Sequence, residues 1–242
     1  MKLRILVITV TLILFIACAI FGVEQDTTKS KTKKIYKKIA PPGKTYFSGI
    51  FGFGPGFEKV FTGIGTKREN DEDDELDKVN IYPGGGINLE ANFGYFFTPT
   101  FRMELGIGYQ SSGKTFENGD VSIKRYPLKI HFFKDVGMLR SFNVAIGVGA
   151  AYNMSPIYHS KVGDREEECE YEPSTAIHAS INFNKFIENK PYFVFGEFRY
   201  VGAVKYEWKK ATVNGSPAVP ISDFEELNGD GIQFNFGIGY FF

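Results

Sequence analysis

The chain of 242 residues carries 28 basic and 28 acidic side chains, so its formal net charge is zero. Without an excess of positive charge, a nucleic acid is not expected as a partner. The composition is unusual in its 27 glycines and 25 phenylalanines.

The chain begins with a segment that is typical of a secretory signal peptide, which we assign to residues 1–22. Lys2 and Arg4 precede an uncharged apolar run that ends at Phe21. A short positive region followed by an apolar run is how secretory signals are built. No second run of this kind follows in the sequence.

Several cleavage positions fit the residues near the end of the apolar run. Ala17 and Ala19 form a small-x-small cleavage site. A less typical cleavage site ends at Gly22. Alternatively, the four residues that end at Cys18 loosely resemble a lipoprotein box, in which case Cys18 would carry a lipid. Cleavage after Cys18 would leave Cys169 as the remaining cysteine, so no internal disulfide would form.

Residues 23–43 are predicted to form a basic tail on the periplasmic side. Lysine occupies six positions between Lys29 and Lys38, and Pro41 and Pro42 then mark the start of the folded domain. A solvated, disordered tail is the simpler interpretation. A basic tether for anionic lipid headgroups is the alternative.

The remainder, residues 44–242, alternates extended apolar runs with polar connections. Each run reaches the roughly 9 to 11 residues that a tilted strand needs to cross a bilayer. An even number of such strands places both chain ends on one side of a membrane. The eight predicted strands are residues 45–57, 86–97, 101–116, 121–133, 141–154, 175–186, 192–206 and 231–242.

The lengths of the connections alternate. Short connections after the second, fourth and sixth strands are assigned to the periplasmic side, and the longer ones to the outside. Asn118 and Gly119 predict a tight hairpin after the third strand. In the last loop, Asn214 and Gly215 predict that strands seven and eight continue as a two-stranded flap. The short connections are residues 98–100, 134–140 and 187–191, and the long ones are 58–85, 155–174 and 207–230.

The predicted strands have one apolar face and one face of glycine, asparagine or charged residues. A soluble two-layer sheet would place bulky polar groups on its second face, whereas a barrel in lipid turns apolar side chains outward and small or polar ones into a narrow lumen. In the fourth strand the apolar positions change parity between Ile123 and Tyr126, which predicts a bulge at 124–127 beside Pro127. The first strand has Gly and Phe on both faces, so its sides stay unassigned.

The last strand carries the most specific pattern. Asn235, Gly237, Tyr240 and Phe242 resemble the C-terminal signal of bacterial outer-membrane barrels, which the barrel-assembly machinery reads in that family. Residues 45–242 as a whole resemble the small eight-stranded barrels, namely the OmpX-like group and the OmpA transmembrane domain. The resemblance implies an all-β, eight-stranded antiparallel up-and-down transmembrane β-barrel in the outer membrane of a diderm bacterium.

The polar faces of the strands predict a network of ion pairs and hydrogen bonds in the lumen. An arginine that faced lipid at mid-membrane would cost roughly 2–4 kcal/mol, so these charges are expected to point inward and to pair. A proton or solute path is the alternative, although side chains fill the space inside eight strands. The predicted members are Glu90, Arg102, Glu104, Lys129, His178, Glu197, Arg199 and Asn235, with His131 as a further candidate.

One fragment also resembles an enzyme motif. His178 and Ser180 are spaced as in the His-x-Ser-Asn signature of outer-membrane lipid A deacylases, but Ile181 intervenes before Asn182. No acidic third member follows at a matching position. Hydrogen bonding within the lumen is therefore favoured, and no catalytic residue is assigned.

The predicted outer loops are acidic. Seven carboxylates lie in residues 68–77, and six more surround Cys169 in residues 164–172. Such density is compatible with weak divalent-cation binding, which would bridge anionic lipopolysaccharide. Because no EF-hand spacing is present, solvation is favoured and no metal site or cofactor is expected. The weak metal candidates are Asp71, Asp73, Asp74 and Glu75.

The sequence thus predicts a non-enzymatic, monomeric integral outer-membrane protein whose acidic outer loops contact lipopolysaccharide, other envelope components or host surfaces. A narrow conduit for small apolar solutes, as in OmpW-like barrels, is the first alternative and requires a lateral opening or an unfilled lumen. A lipid A-modifying enzyme centred on His178 and Ser180 is the second. Since this fold carries several functions, the sequence names no surface ligand.

Overall fold

The computed structural model describes residues 43–61, 80–116, 119–202, 204–218 and 225–242. The predicted signal peptide, residues 23–42 of the basic tail and the acidic segment 68–77 lie outside these residues. Within them, no helix has the length and apolar character needed to cross a membrane. The strands in chain order are β1 Thr45–Gly54, β2 Val60–Phe61, β3 Asn80–Ile81, β4 Gly86–Thr98, β5 Phe101–Phe116, β6 Gly119–Leu139, β7 Phe142–Val162, β8 Arg165–Tyr171, β9 Ser174–Phe186, β10 Tyr192–Gly202, β11 Lys205–Val213, β12 Ser216–Ala218, β13 Glu226–Asn228 and β14 Gly231–Phe241.

Eight of these strands close into a ring. Each pairs antiparallel with its neighbours in the order β1, β4, β5, β6, β7, β9, β10 and β14. The last strand then pairs with the first, from Tyr46 opposite Phe241 to Phe53 opposite Phe234. Closure leaves no free edge within the ring, so backbone polar groups are satisfied between strands as a spanning barrel requires. The predicted eight-stranded, up-and-down antiparallel barrel is confirmed.

The two faces of the barrel wall are chemically opposite, as the alternation predicts. Asparagine, glutamine and charged side chains are buried on the inner face, while large apolar side chains are exposed on the outer face. The structure also assigns the two faces of β1. Phe47, Phe51 and Phe53 point outward, and Tyr46 and Ser48 point inward. An exposed band of this kind is stable only in hydrocarbon, so the barrel spans a membrane.

Two predicted connections are wrong. β6 and β7 are each 21 residues long, so residues 134–140 are largely strand and the turn is confined to Arg140 and Ser141. Residues 155–174 are no loop either, because β7 continues to Val162 and β8 returns beside it. Beyond the membrane a strand need not be apolar, so the alternation that marks a spanning strand fades while the pairing continues.

The long strands continue the sheet of the barrel beyond the membrane, and we call this extension the outer sheet. It consists of residues 112–116 of β5, 119–124 of β6 and 157–162 of β7, with all of β8, β11 and β12. Asn214 and Gly215, both with positive φ, form the hairpin turn between β11 and β12. The predicted hairpin turn is therefore confirmed, but the predicted two-stranded flap is wrong, because β11 also pairs with β8. The predicted end of strand seven at residue 206 is wrong, since β10 ends at Gly202.

A register shift between Lys124 and Tyr126 lies where the bulge is predicted. The change of parity in β6, however, is only apparent. Ile123 and Pro127 both point inward, and Ile123 enters an apolar cluster above the membrane. The alternation changes instead in β7, where Ser155 has a φ of 29°.

Candidate functional site

The middle of the lumen holds a fully buried charged layer centred on Arg199 of β10. One nitrogen of its guanidinium lies 2.6 Å from Glu90 of β4, and the other lies 2.6 Å from Glu197. Lys129 of β6 also pairs with Glu90. Asn235 of β14 donates a hydrogen bond of 3.0 Å to Glu197. Two cations therefore balance two carboxylates, as burial of charge requires.

Glycines on β5 allow these charges to meet. Glu90 lies opposite Gly108 in the ladder, and Lys129 lies opposite Gly106, so β5 separates the strands of the two charged residues. A Cβ at Gly106 would meet the Asn92 side chain, and one at Gly108 would lie 3.5 Å from Cγ of Glu90, so the two glycines leave room for these polar side chains of β4 over β5. The inward glycines that the alternation predicts are thus part of the ion-pair geometry.

A second charged layer lies toward the periplasmic end. Arg102 of β5 is 3.2 Å from Asp135, 3.5 Å from Glu104 and 3.3 Å from the Asn182 side-chain oxygen. The Tyr46 hydroxyl donates to Glu104. Arg102 and Glu104 are predicted members of the lumenal network, whereas Asp135, Asn182 and Tyr46 are not. Asp135 lies in a segment that is predicted as a turn, and Tyr46 is on the strand whose sides are unassigned.

An aromatic floor closes the periplasmic end below this layer. Inward glycines make room for its rings: a Cβ at Gly94 would lie 2.0 Å from the Tyr46 ring, and one at Gly239 would lie 2.1 Å from the Phe193 ring. Gly237 faces the Phe195 ring in the same way. Packing against these rings therefore explains why glycine occupies two positions of the last strand. The members of the floor are Tyr46, Phe96, Phe186, Phe193, Phe195 and Phe241.

A third polar layer, which the sequence pattern does not predict, closes the lumen toward the outside. Arg125 donates to the Gln110 side-chain oxygen at 2.7 and 3.0 Å and also donates to the Tyr206 hydroxyl. Gln110 in turn donates to the carbonyls of Gly84 and Gly85 at 3.1 and 2.9 Å. These contacts join strands to irregular loops, which periodicity along a strand does not reveal.

An apolar cap covers the third layer beneath the outer sheet. It is a buried hydrophobic cluster built from the outer ends of the barrel strands and from β2, β3, β8, β11 and β13. Its members are Val60, Ile81, Val121, Ile123, Ala151, Tyr158, Cys169, Tyr171, Ala176, Val201, Val204, Tyr206, Ala211 and Leu227. The lumen is thus packed from the aromatic floor to the apolar cap.

Solved structures share this architecture. Outer membrane protein OprG from Pseudomonas aeruginosa superposes with a TM-score of 0.52 at 14% identity, over 85% of this chain and 98% of that one. The fold is that of the small outer-membrane β-barrels of Gram-negative bacteria. Outer membrane protein AlkL has a TM-score of 0.45 at 12% identity, over 90% of this chain and 96% of its own. Ail, the attachment invasion locus protein of Yersinia pestis, has a TM-score of 0.41 at 14% identity, over 83% of this chain and 99% of its own. No family model and no curated protein matches the sequence.

Little free space remains inside this outer-membrane barrel. A cavity of about 10 Å3 lies between the central and outer polar layers, beside Lys129, His178 and Arg199. That volume holds about one water molecule. Among the described residues, the floor, the three polar layers and the cap occupy successive levels of the barrel axis.

Planar-bilayer recordings should show no conductance steps from the reconstituted barrel. Side chains fill the interior of an eight-stranded barrel, and with the floor, the three polar layers and the cap along the axis we expect no water column. A protein-free bilayer is the control. Reproducible unitary steps that depend on the protein would contradict the filled lumen.

His178 and Ser180 both point into the barrel, but they do not form the pair that the enzyme motif suggests. Ser180 Oγ lies 3.3 Å from Nε2 of His131, whose Nδ1 is 3.9 Å from Glu197. His178 Nδ1 has no hydrogen-bond partner among the described residues. The order Ser180, His131, Glu197 resembles a nucleophile, base and acid, and all three side chains are buried in the lumen. Within the barrel the three groups connect β9, β6 and β10.

The predicted assembly signal lies on the last strand, which closes the barrel by pairing with the first. Asn235 is fully buried in the central layer, and Gly237 faces the floor. Tyr240 and Phe242 point outward, where their rings lie 5.3 Å from Tyr192 and 6.2 Å from Phe93 between centroids. The recognition of these residues by the assembly machinery stays a prediction.

The outer sheet carries the charged groups outside the membrane. Glu166, Glu168 and Glu170 alternate along β8 toward one face, and His159 of β7 lies 3.2 Å from Glu166 and 3.6 Å from Asp120. In the part of the chain that the structure describes, no group of three His, Cys, Asp or Glu side chains is arranged to hold a metal. The weak metal candidates Asp71, Asp73, Asp74 and Glu75 lie outside the described residues.

Cys169 of the outer sheet should be unreactive in the folded protein. Burial, together with the nearby carboxylates of Glu167 and Glu168, raises the pKa of this thiol to about 11. Because the thiolate is the nucleophile, maleimide labelling should be slow at pH 7.5 and should accelerate as pH approaches 11. The guanidinium-unfolded chain, with an ordinary thiol pKa of about 8.5, is the control. Equal rates in the folded and unfolded chains would contradict the burial of Cys169.

Proposed function

We propose that this protein is a non-enzymatic outer-membrane protein whose outer sheet binds a ligand at the cell surface. The observation that carries the proposal is the length of β6 and β7. At 21 residues each, they are about twice as long as the roughly 9 to 11 residues that cross a bilayer. Residues 119–124 of β6 and 157–162 of β7 pair into the outer sheet.

Pairing makes the outer sheet suitable for recognition. β8 lies between β7 and β11, with Ile157 opposite Glu170 and Ala211 opposite Cys169. A sheet that is already ordered loses little conformational entropy when a ligand binds. Its charged side chains are therefore presented at fixed spacing.

The chemistry of the sheet suggests the kind of ligand. In the described residues outside the membrane, carboxylates outnumber lysine and arginine side chains. Such a surface fits cationic groups on host surfaces, or anionic lipopolysaccharide and other envelope components that divalent cations bridge. The filled lumen disfavours a solute conduit, and the enclosed position of Ser180 disfavours lipid modification.

A triple variant of β8 tests the proposal. Glu166, Glu168 and Glu170 are changed to glutamine, and binding of the nanodisc-embedded barrel to lipopolysaccharide, with millimolar calcium, and to host cells is measured. Exposed ion pairs such as Glu170 with Lys209 contribute about 0–1 kcal/mol, so the fold should persist. We expect at least a threefold loss of binding to one of the two surfaces.

The control variant is Glu188→Gln, which removes an exposed carboxylate from the periplasmic turn. It should bind like the wild type. Equal binding by the triple variant and the wild type, or a change in lipid A mass on expressing cells, would overturn the proposed function.

A further inference from the structure

The small cavity between the central and the outer polar layers has an excess of positive charge in its lining. Lys129 and Arg199 reach it from the central layer, and Arg125 reaches it from the outer layer. Among the described residues that line it, Glu90 is the one carboxylate. All four side chains are buried. Since a buried charge needs a partner of opposite sign, three cations and one carboxylate leave this lining unbalanced.

The unmatched charge belongs to Arg125. Within the central layer, two carboxylates balance the two cations. Arg125 instead donates to neutral oxygens, namely the Gln110 side chain, the Tyr206 hydroxyl and, at 3.3 Å, the Gly229 carbonyl. None of the ion pairs between described residues in the lumen includes Arg125. The second charged layer has one carboxylate in excess, but the central layer separates it from Arg125.

Three acceptors of the cavity lining are already engaged. The carboxylate of Glu90 contacts three donating side chains. The side-chain oxygen of Gln110 accepts from Arg125 and Gln233. The side-chain oxygen of Gln233 in turn accepts from Arg199 at 3.3 Å. These oxygens therefore offer little to an occupant that needs to donate hydrogen bonds.

Donors, by contrast, remain for an occupant. His178 lines the cavity, is 7% exposed, and its Nδ1 has no hydrogen-bond partner among the described residues. A neutral imidazole carries its proton on one of its two nitrogens, so Nδ1 can donate. An ammonium has three N–H groups, and Lys129 uses its contact with Glu90 for one of them. The lining thus matches an occupant that accepts hydrogen bonds and carries negative charge, whereas a water molecule would also have two protons to place.

The size of the cavity restricts the kind of anion. Its volume of about 10 Å3 holds one particle of about the size of water. Phosphate, sulfate and carboxylate groups have several heavy atoms and are too large. Chloride is a single atom somewhat larger than a water molecule, and the flexible four-carbon stem of Lys129 can shift to admit it.

We propose that this cavity binds one small monoatomic anion, with chloride as its abundant representative. The anion supplies the opposite charge that Arg125 lacks and accepts hydrogen bonds from Lys129 and His178. It thereby connects the outer polar layer to the central layer. The proposal concerns the lumen and is independent of the ligand proposed for the outer sheet.

Bromide is the direct probe of the site, because it replaces chloride and has an anomalous X-ray signal that water lacks. Crystals of the wild-type barrel are grown with sodium bromide as the salt. We expect one anomalous peak inside the cavity, within hydrogen-bonding distance of the side-chain nitrogens of Arg125 and Lys129. Electron density there without an anomalous signal would identify water and overturn the proposal.

Stability in two salts tests whether the anion binds in solution. The barrel in phospholipid vesicles is heated in sodium chloride or in sodium gluconate at equal ionic strength, and gel mobility gives the midpoint of unfolding. An ion that binds the folded state alone stabilises it by mass action. Chloride at roughly ten times its dissociation constant should therefore raise the midpoint by about 3–6 °C relative to gluconate. Equal midpoints of the wild type in the two salts would contradict the site.

Three variants assign the effect to the cavity. Arg125→Gln removes the unmatched charge, and Ala176→Val adds volume to the lining while every charge is kept. Both should lose the difference between chloride and gluconate. Arg165→Gln, which removes an exposed arginine from β8, should keep it. A chloride effect of wild-type size in both cavity variants would place the anion elsewhere and overturn the proposal.

Discussion

Replacing Arg199 with methionine should lower the free energy of unfolding by about 3–5 kcal/mol, the cost of removing one partner from a buried ion-pair network. The guanidinium contacts Glu90 and Glu197 at 2.6 Å each. Glu90 keeps its pair with Lys129, but Glu197 loses its closest cation. Guanidinium unfolding of the barrel in phospholipid vesicles, followed by gel mobility, measures the change.

Two further variants isolate the charge effect. Arg165→Met removes an exposed arginine from β8 and should shift the free energy of unfolding by less than about 0.5 kcal/mol. Arg199→Met combined with Glu197→Gln should regain part of the lost stability, because the unpaired carboxylate is gone. If Arg199→Met and Arg165→Met unfold at the same midpoint, Arg199 has no coupled partners in the lumen.

Gly94→Ala should lower the free energy of unfolding by about 1–3 kcal/mol, and Gly94→Leu should lower it further or prevent folding. A Cβ at this inward position would lie 2.0 Å from the Tyr46 ring. Tyr46 has little room to move, because its ring lies 5.2 Å from that of Phe193 and 5.7 Å from that of Phe241 between centroids. The fraction of folded protein on unheated gels and the unfolding midpoint report the effect.

Gly196 supplies the outward control. Gly196→Ala and Gly196→Leu enter open space on the lipid face and should be neutral or slightly stabilising, since glycine inside a strand costs about 0.5–1 kcal/mol relative to alanine. Comparable losses at positions 94 and 196 would mean that the floor is not packed as described.

The barrel itself could be predicted because one physical constraint acts on every residue of a spanning strand. Along β5, Leu105 and Ile107 face hydrocarbon while Glu104 and Gly106 face the lumen, so a period of two is visible without knowledge of any neighbour. The same constraint places Glu90, Lys129 and Arg199 inside. The turns fix the register of the strands, and the register sets the height of each of these side chains along the barrel axis.

The outer sheet could not be predicted in the same way. Glu166, Glu168 and Glu170 carry no apolar signal, because water solvates one side of that sheet. The layer of Arg125 and Gln110 could not be predicted because their partners include loop carbonyls and a tyrosine from the distant β11. Such contacts depend on ring closure, which brings residues about 80 positions apart into contact.

Spin labels along β5 test the central claim, that the wall of this barrel is apolar outside and polar inside. Single labels are placed at successive positions from Met103 to Tyr109 in a cysteine-free background, and oxygen accessibility is measured in vesicles. We expect an alternation with a period of two, in which Leu105 and Ile107 are high and Glu104 and Gly106 are low. A flat profile, or high accessibility at the even-numbered positions, would contradict the inverted barrel.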